Sequence, residues 1–218
     1  MDRVASLLRL FLIATFLGGP MVTAVSPLLA QQGGFVPVEA LRQGGYVLLF
    51  RYTTVQLVQE PSPIDLANCA VQHRLTEKGR EEARSIGVAF RTLGIPVGRV
   101  LASPYCRALE MARLAFGRAE PWDALIHPTY VPIPGATILA SYGQRVEAIK
   151  RILATPPAVG TNNVLVTHGL VVRAATGFDI AMGEAAFYRP GGDGGSLLVA
   201  RVLHTHWDAA AAAYGVGR

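Results

Sequence analysis

The sequence predicts an α/β fold: a three-layer sandwich with a mainly parallel sheet, helices on both faces and an antiparallel edge. Three observations predict it. The continuous apolar run 46–50 suits a strand buried on both faces, and the short segments 99–102 and 163–167, with apolar centres, read as the second and third strands. The segments between them carry apolar residues three and four apart, the helical period. Two later runs, 184–189 and 196–203, are joined by Pro190-Gly191-Gly192-Asp193-Gly194-Gly195, a turn-rich link that favours an antiparallel pair at the sheet edge.

The elements follow in order. Residues 37–43 read as a short helical turn, ended by Gly44-Gly45 before the first strand. Arg51 and Tyr52 then stand at that strand's C-terminal end. Residues 53–75 contain Pro61, Pro63 and Asn68 and show no sustained period, so they form a long loop, a length usually tied to function. Thr76 is the expected N-cap of a helix whose apolar face is Ala83, Ile86, Phe90 and Leu93, and Gly94 stops it. Residues 95–98 are expected to connect this helix to the second strand, 99–102. Ser103 as N-cap and Pro104 as first helical residue would open a helix to about Phe116, with Arg107 one turn inside.

Residues 117–137 are rich in Pro and Gly and lack periodicity. A helix is expected over 138–154 through Val146, Ile149, Ile152 and Leu153, closed by Pro156-Pro157. The third strand ends at His168-Gly169, and 170–176 begins another helix. The tail from Trp207 reads as a short Ala-rich helix. No internal repeat is present.

Residues 1–30 are set apart from this fold. Arg3 and Arg9 precede the apolar run 10–17, followed by Gly18-Gly19-Pro20 and small residues up to Ala30, the order of a secretory signal. Cleavage after Ala30 or after Ala24 is expected, leaving a single domain over 31–218. The alternative, an uncleaved membrane anchor over 7–30, is interrupted by Gly18-Gly19-Pro20. The chain is accordingly expected to be exported, periplasmic or secreted, with no stable membrane insertion after cleavage.

A 218-residue chain that is 51% apolar can bury one substantial core. Removing residues 1–30 takes two bases and one acid away, so the net charge falls from +5 to +4. No run of Lys and Arg interleaved with aromatics occurs, which favours a small anionic ligand over a nucleic-acid partner. Cys69 and Cys106 are the only cysteines. In an oxidising compartment they can pair, and the sequence leaves open either a disulfide or two buried thiols.

Three strand ends carry cationic or titratable groups: Arg51-Tyr52, then Ser103-Pro104 leading to Arg107, then His168. In open α/β sheets the carboxyl ends of the strands form the ligand crevice. Two guanidinium groups and an imidazole converging there suit a phosphate dianion.

The stretches "FRYTT", "LTEKGREEARSIGVAFRTLGIPVGRVLASPYCRALEMARLAFG" and "NVLVTHGLVVRAATG" resemble the histidine phosphatase superfamily, with its phosphoglycerate-mutase-like fold, over roughly residues 37–204. In that family an Arg-His pair ends the first strand, Leu-Ser/Thr-x-x-Gly opens the next helix, Ser-Pro-x-x-Arg opens another, and a second His ends a later strand. The resemblance implies that Arg51, Arg107 and His168 bind the phosphoryl group of a phosphomonoester. It also implies that Tyr52 stands where the family has its phospho-accepting histidine. A phenol is mostly protonated at neutral pH, and its phosphate ester outlasts a phosphoramidate. The expectation is therefore a phosphatase-family protein of weak or no activity, with Tyr52 and His168 at the catalytic positions. The alternative is a non-catalytic binding protein for a phosphorylated or anionic small molecule.

The acid that would protonate a leaving group is unassigned, with Glu184, Glu110 and Asp123 as candidates. His73, just before the helix opening, reads as a partly exposed loop residue. His204 and His206 lack a third ligand, so no metal is expected, and no cofactor. Substrate and oligomeric state are not readable from the sequence.

Overall fold

The computed structural model describes residues 37–127 and 138–216; the expected leader lies outside them. In chain order the elements are α1 (Val38–Gln43), β1 (Val47–Arg51), β2 (Val55–Gln56), β3 (Arg74–Leu75), α2 (Glu77–Thr92), β4 (Val97–Ala102), α3 (Cys106–Phe116), β5 (Glu120–Pro121), α4 (Ile138–Leu153), β6 (Asn162–Thr167), α5 (Gly169–Thr176), β7 (Ala185–Pro190), β8 (Ser196–Val202) and α6 (His204–Val216). Six strands form one sheet in the order β5-β4-β6-β1-β7-β8. Strands β5, β4, β6 and β1 run parallel, and β7 and β8 supply the antiparallel edge.

The period-2 alternation of the buried strands sorts their side chains into two cores. Leu48, Phe50, Val100, Ala102, Val164, Val166 and Phe187 face α2, α3 and α6 on one side. Val47, Leu49, Leu101, Leu165 and Tyr188 face α4 and α5 on the other. This is the three-layer arrangement read from the sequence. Trp207 is fully buried in the first core, with ring centroids 4.6 Å from Phe90 and 5.5 Å from Phe187, so the last helix is docked onto the sheet.

Local chemistry explains the boundaries. The Thr76 hydroxyl accepts from the Gly79 N–H at 3.0 Å and caps α2, as the sequence suggests. Gly94, at φ 64°, ends it. The parallel register sets Arg51 beside Thr167 and Ala102 beside Val166. The residues that follow, Tyr52, Ser103 and His168, therefore leave the sheet side by side at one edge.

The helix after β4 departs from expectation. It starts at Cys106, and the residue before it, Tyr105, provides no side-chain cap. Ser103 is still in the sheet's hydrogen-bond pattern, its N–H donating to the Val166 carbonyl at 2.9 Å, which frees its hydroxyl for another partner. Strand β4 also begins at Val97, inside the segment expected to be a connector.

The 53–75 loop has internal order. Strands β2 and β3 pair antiparallel, and a 3₁₀ turn, Cys69–Val71, lies between them. Cys69 is disulfide-bonded to Cys106, the first residue of α3, which resolves the choice the sequence left open. Gln72 reinforces the junction: its side-chain amide donates to the carbonyls of Asp65 and Leu66, and its oxygen accepts from the Cys106 N–H at 3.0 Å. The loop is thus fastened to the start of α3, one residue before Arg107.

Candidate functional site

The side chains at the strand ends meet. Tyr52 is buried, with its ring edge-on to His168 at a centroid distance of 5.4 Å. The Arg107 guanidinium carbon lies 5.0 Å from the Tyr52 ring centre and 4.5 Å from that of Tyr105, while the Arg51 carbon lies 5.7 Å from the Tyr52 ring. Arg51, Arg107 and His168 therefore surround one tyrosine, the convergence expected from the sequence.

Arg51 leaves the end of β1 and donates from Nη1 to the Ile180 carbonyl at 3.0 Å, while its Nε is buried without a partner. It lies against the first residue of α5. A Cβ on Gly169 would come within 3.3 Å of the guanidinium, so glycine there lets Arg51 approach closely.

His168 has both ring nitrogens engaged. Nε2 is 2.8 Å from the Ser103 hydroxyl, and Nδ1 is 3.3 Å from Arg107 Nη2. A guanidinium can only donate, so Nδ1 accepts and the imidazole proton sits on Nε2, donating to Ser103. Burial first, then the charge of Arg107 and further charges around the ring, holds the His168 pKa well below the ordinary imidazole value. The ring is neutral near pH 7.

Arg107 already carries an anion. Its Nη1 donates to Glu60 Oε1 at 2.7 Å, from a carboxylate that the long loop brings into the site. The same oxygen accepts from the His73 N–H at 2.8 Å, and Glu60 Oε2 lies 3.8 Å from His73 Nε2. His73 in turn accepts at Nδ1 from the Val58 N–H. The partly exposed loop histidine of the sequence reading is thus the outer member of a chain running His73, Glu60, Arg107, His168, Ser103.

A second imidazole joins the group. His127, just beyond the 3₁₀ turn Asp123–Leu125, stands edge-on to His168 at 5.5 Å. Burial and then Arg107 push its pKa down to about 4. The turn is pinned to the strand end by the Thr167 hydroxyl, which donates to the Leu125 carbonyl at 2.8 Å.

The sequence singled out Arg51, Tyr52, Arg107 and His168 because strand ends are legible. It missed Glu60, Tyr105, His127 and the hydroxyl role of Ser103, which depend on how the loops fold back. The length of the 53–75 loop was the available signal for Glu60. Two of the acid candidates are committed elsewhere: Glu110 to Arg80 at 2.7 Å and Glu184 to Arg201 at 2.8 Å. Asp123 is exposed on the 3₁₀ turn. His204 lies 3.7 Å from Glu82.

Comparison with solved structures finds the same fold in other proteins. The protein histidine phosphatase SixA, in complex with tungstate, superposes with a TM-score of 0.50 at 16% identity, covering 73% of this chain and 97% of that one. A candidate alpha-ribazole-5'-P phosphatase from Escherichia coli K-12 gives 0.50 at 18% identity, covering 71% and 94%. The product of an open reading frame of Mycobacterium tuberculosis gives 0.50 at 16%, covering 72% and 97%. At these identities the likeness is one of fold. No protein-family model matches the sequence. No curated protein matches it either.

Proposed function

We propose that this chain is an exported member of the histidine phosphatase superfamily that binds phosphomonoesters at the Arg51, Arg107 and His168 cluster and hydrolyses them weakly or not at all. The observation that carries the reading is the shared edge of β1, β4 and β6, which gathers these groups around Tyr52. Among the fold relatives, SixA holds tungstate, an oxyanion of phosphate-like shape. Arg51 and Arg107 supply planar N–H donors to phosphoryl oxygens, and His168 can turn its Nε2–H from the Ser103 hydroxyl to a phosphoryl oxygen.

Tyr52 occupies the place of the phospho-accepting histidine in this reading. Neutral imidazole offers a lone pair at pH 7; a phenol must first lose its proton, and the ester it would form turns over slowly. The clamp is thus retained and the attacking group changed. Export agrees with the N-terminal segment and with the Cys69–Cys106 disulfide, a bond that persists in oxidising compartments.

A second reading, a binding protein for an anionic small molecule without turnover, draws support from the engaged state of the site. Arg107 is held by Glu60 and His168 by Ser103, so an incoming anion competes with internal partners.

The test is a paired assay with p-nitrophenyl phosphate on the mature protein. Very low hydrolysis by the wild type and a clear gain in Tyr52→His support a phosphatase site with a substituted nucleophile. Calorimetry with phosphate, losing affinity in Arg107→Ala but with no gain of turnover in Tyr52→His, supports binding alone. Vigorous wild-type turnover overturns the role given to Tyr52, and absence of phosphate binding overturns both readings.

A further inference from the structure

Arg145, on α4, is 93% buried, being only 7% exposed, and none of its three guanidinium nitrogens has a hydrogen-bond partner. A buried charge left uncompensated destabilises a fold, and native folds rarely keep one without use. Its surroundings do not supply the missing anion. Asp123 acts on it electrostatically but is exposed and forms no ion pair with it among the described residues. Outside the described residues the only side-chain carboxylate in the sequence is Asp2. The other groups acting on Arg145 are Tyr142 and Tyr105, which are phenols and not carboxylates, and burial raises the Tyr142 pKa further.

Its position ties it to the phosphoryl site. Helix α4 packs against the 3₁₀ turn and against α5, and that turn is fastened to the end of β6 by Thr167. The charge of Arg145 is felt by His127, whose ring stands against His168, and by Tyr105, whose ring centre lies 4.8 Å from that of His168 and 4.5 Å from Arg107. The guanidinium is therefore a neighbour of the cluster but does not belong to its hydrogen-bond chain.

We infer that Arg145 is a second anion subsite, so that the preferred ligand is a phosphomonoester bearing a further carboxylate or phosphate group. This rests on the phosphoryl reading of the Arg51, Arg107 and His168 cluster. Five N–H donors in a planar fork match a carboxylate or a phosphate, and a desolvated guanidinium gains most from an anion that arrives already tethered to a bound phosphoryl group. Selectivity for bis-anionic ligands comes from that tether, and a lone phosphate does not use it.

The test is calorimetry on the mature protein with inorganic phosphate, a series of phosphooxy-alkanoates of two to five carbons, and alkyl phosphates of matching length. At least one alkanoate is expected to bind about tenfold or more tightly than its alkyl counterpart, the effect of one charge-assisted pair. In Arg145→Gln that ratio falls to about one. A second measurement guards against misfolding: Arg145→Met is expected to keep or raise the melting temperature, because an unpaired buried charge is removed. A ratio near one at every length in the wild type, a ratio that survives Arg145→Gln, or a strong loss of stability in Arg145→Met would overturn the inference. Failure of phosphate and all alkyl phosphates to bind would instead defeat the phosphoryl reading, and this subsite with it.

Discussion

Glu60 and Arg107 form an ion pair of 2.7 Å in which each side chain is only 3% exposed. The arginine proposed to clamp phosphate is therefore neutralised from within, by a residue delivered on the 53–75 loop. A phosphate ion and the Glu60 carboxylate both draw on the Arg107 guanidinium, whose Nη1 is held by Glu60 while Nε is buried without a partner, so the two anions compete. Removing the carboxylate charge should reverse the balance. Glu60→Gln is expected to lose about 3 kcal/mol of stability in phosphate-free buffer, since breaking one side of a buried pair strands the other. The same variant is expected to bind phosphate about tenfold more tightly, with a larger rise in melting temperature on adding phosphate than the wild type shows. An equal or smaller phosphate-induced rise would argue against competition.

The disulfide fixes the loop that carries Glu60. Cys69 and Cys106 are 37 residues apart in sequence, and closing a loop of that length stabilises the fold by about 4 kcal/mol in the chain-entropy model. Cys106 also adjoins Arg107, so the bond holds the carboxylate's loop against the arginine's helix. Urea denaturation of the Cys69→Ala, Cys106→Ala double variant should show a loss of this order. Its thermal response to phosphate should move toward that of Glu60→Gln, because a released loop holds Glu60 less firmly. Unchanged stability would show that the Gln72 hydrogen bonds suffice alone.

Three imidazoles, one buried and two half-buried, give the fold an acid-sensitive side. His73, His127 and His168 all have pKa values lowered mainly by burial, His127 to about 4. In the unfolded chain each returns to the ordinary value of 6.5, so below that pH the unfolded state binds more protons than the native one. Stability is therefore complete above about pH 6.5 and falls as the pH drops toward 4. The lowered carboxylates Glu77, Glu147 and Asp179 contribute their own loss only below about 4.5, where the unfolded carboxylates begin to protonate. Urea titrations between pH 7.5 and 5 isolate the histidines. A decline in the wild type that is shallower in His127→Gln is the expected result; a flat wild-type profile contradicts it.

The sequence made the sheet legible because its strands are buried on both faces, and burial writes itself as apolar runs such as 47–50 and 164–166. The residues after those runs were legible as a site for the same reason: chain order and strand polarity put Arg51, Tyr52 and His168 at one edge. The loops were not legible. Nothing in the spacing of Glu60 distinguishes it from a solvated acid, since its burial follows from the disulfide and from Gln72 holding the loop down. Ser103 was misread because a Ser-Pro pair also signals a helix start, and the hydrogen bond it makes with His168 exists only across two strands. Arg145 has the amphipathic spacing of an ordinary helix-surface arginine, and its burial shows only in the folded chain.

One packing contact offers a check on the fold independent of any ligand. Helices α2 and α3 pack closely where Gly87 meets Ala115: a Cβ at position 87 would lie 2.2 Å from the Ala115 carbonyl oxygen. Alanine is the better helix former by about 0.5–1 kcal/mol, which on propensity alone would make Gly87→Ala stabilising. The clash has the opposite sign. The opposing atom is backbone, so relief requires the helices to separate, and that disturbs Phe90 and Phe116, whose rings pack at 5.2 Å across the same interface. Overpacking of this kind costs about 1–3 kcal/mol and exceeds the propensity gain. Gly87→Ala is therefore expected to unfold at lower urea concentration than the wild type, by a net of up to about 2.5 kcal/mol, whereas Ala substitution at the exposed Val88 should be nearly neutral. A more stable Gly87→Ala protein would mean that α2 and α3 do not approach this closely, and that the helix carrying Arg107 sits elsewhere.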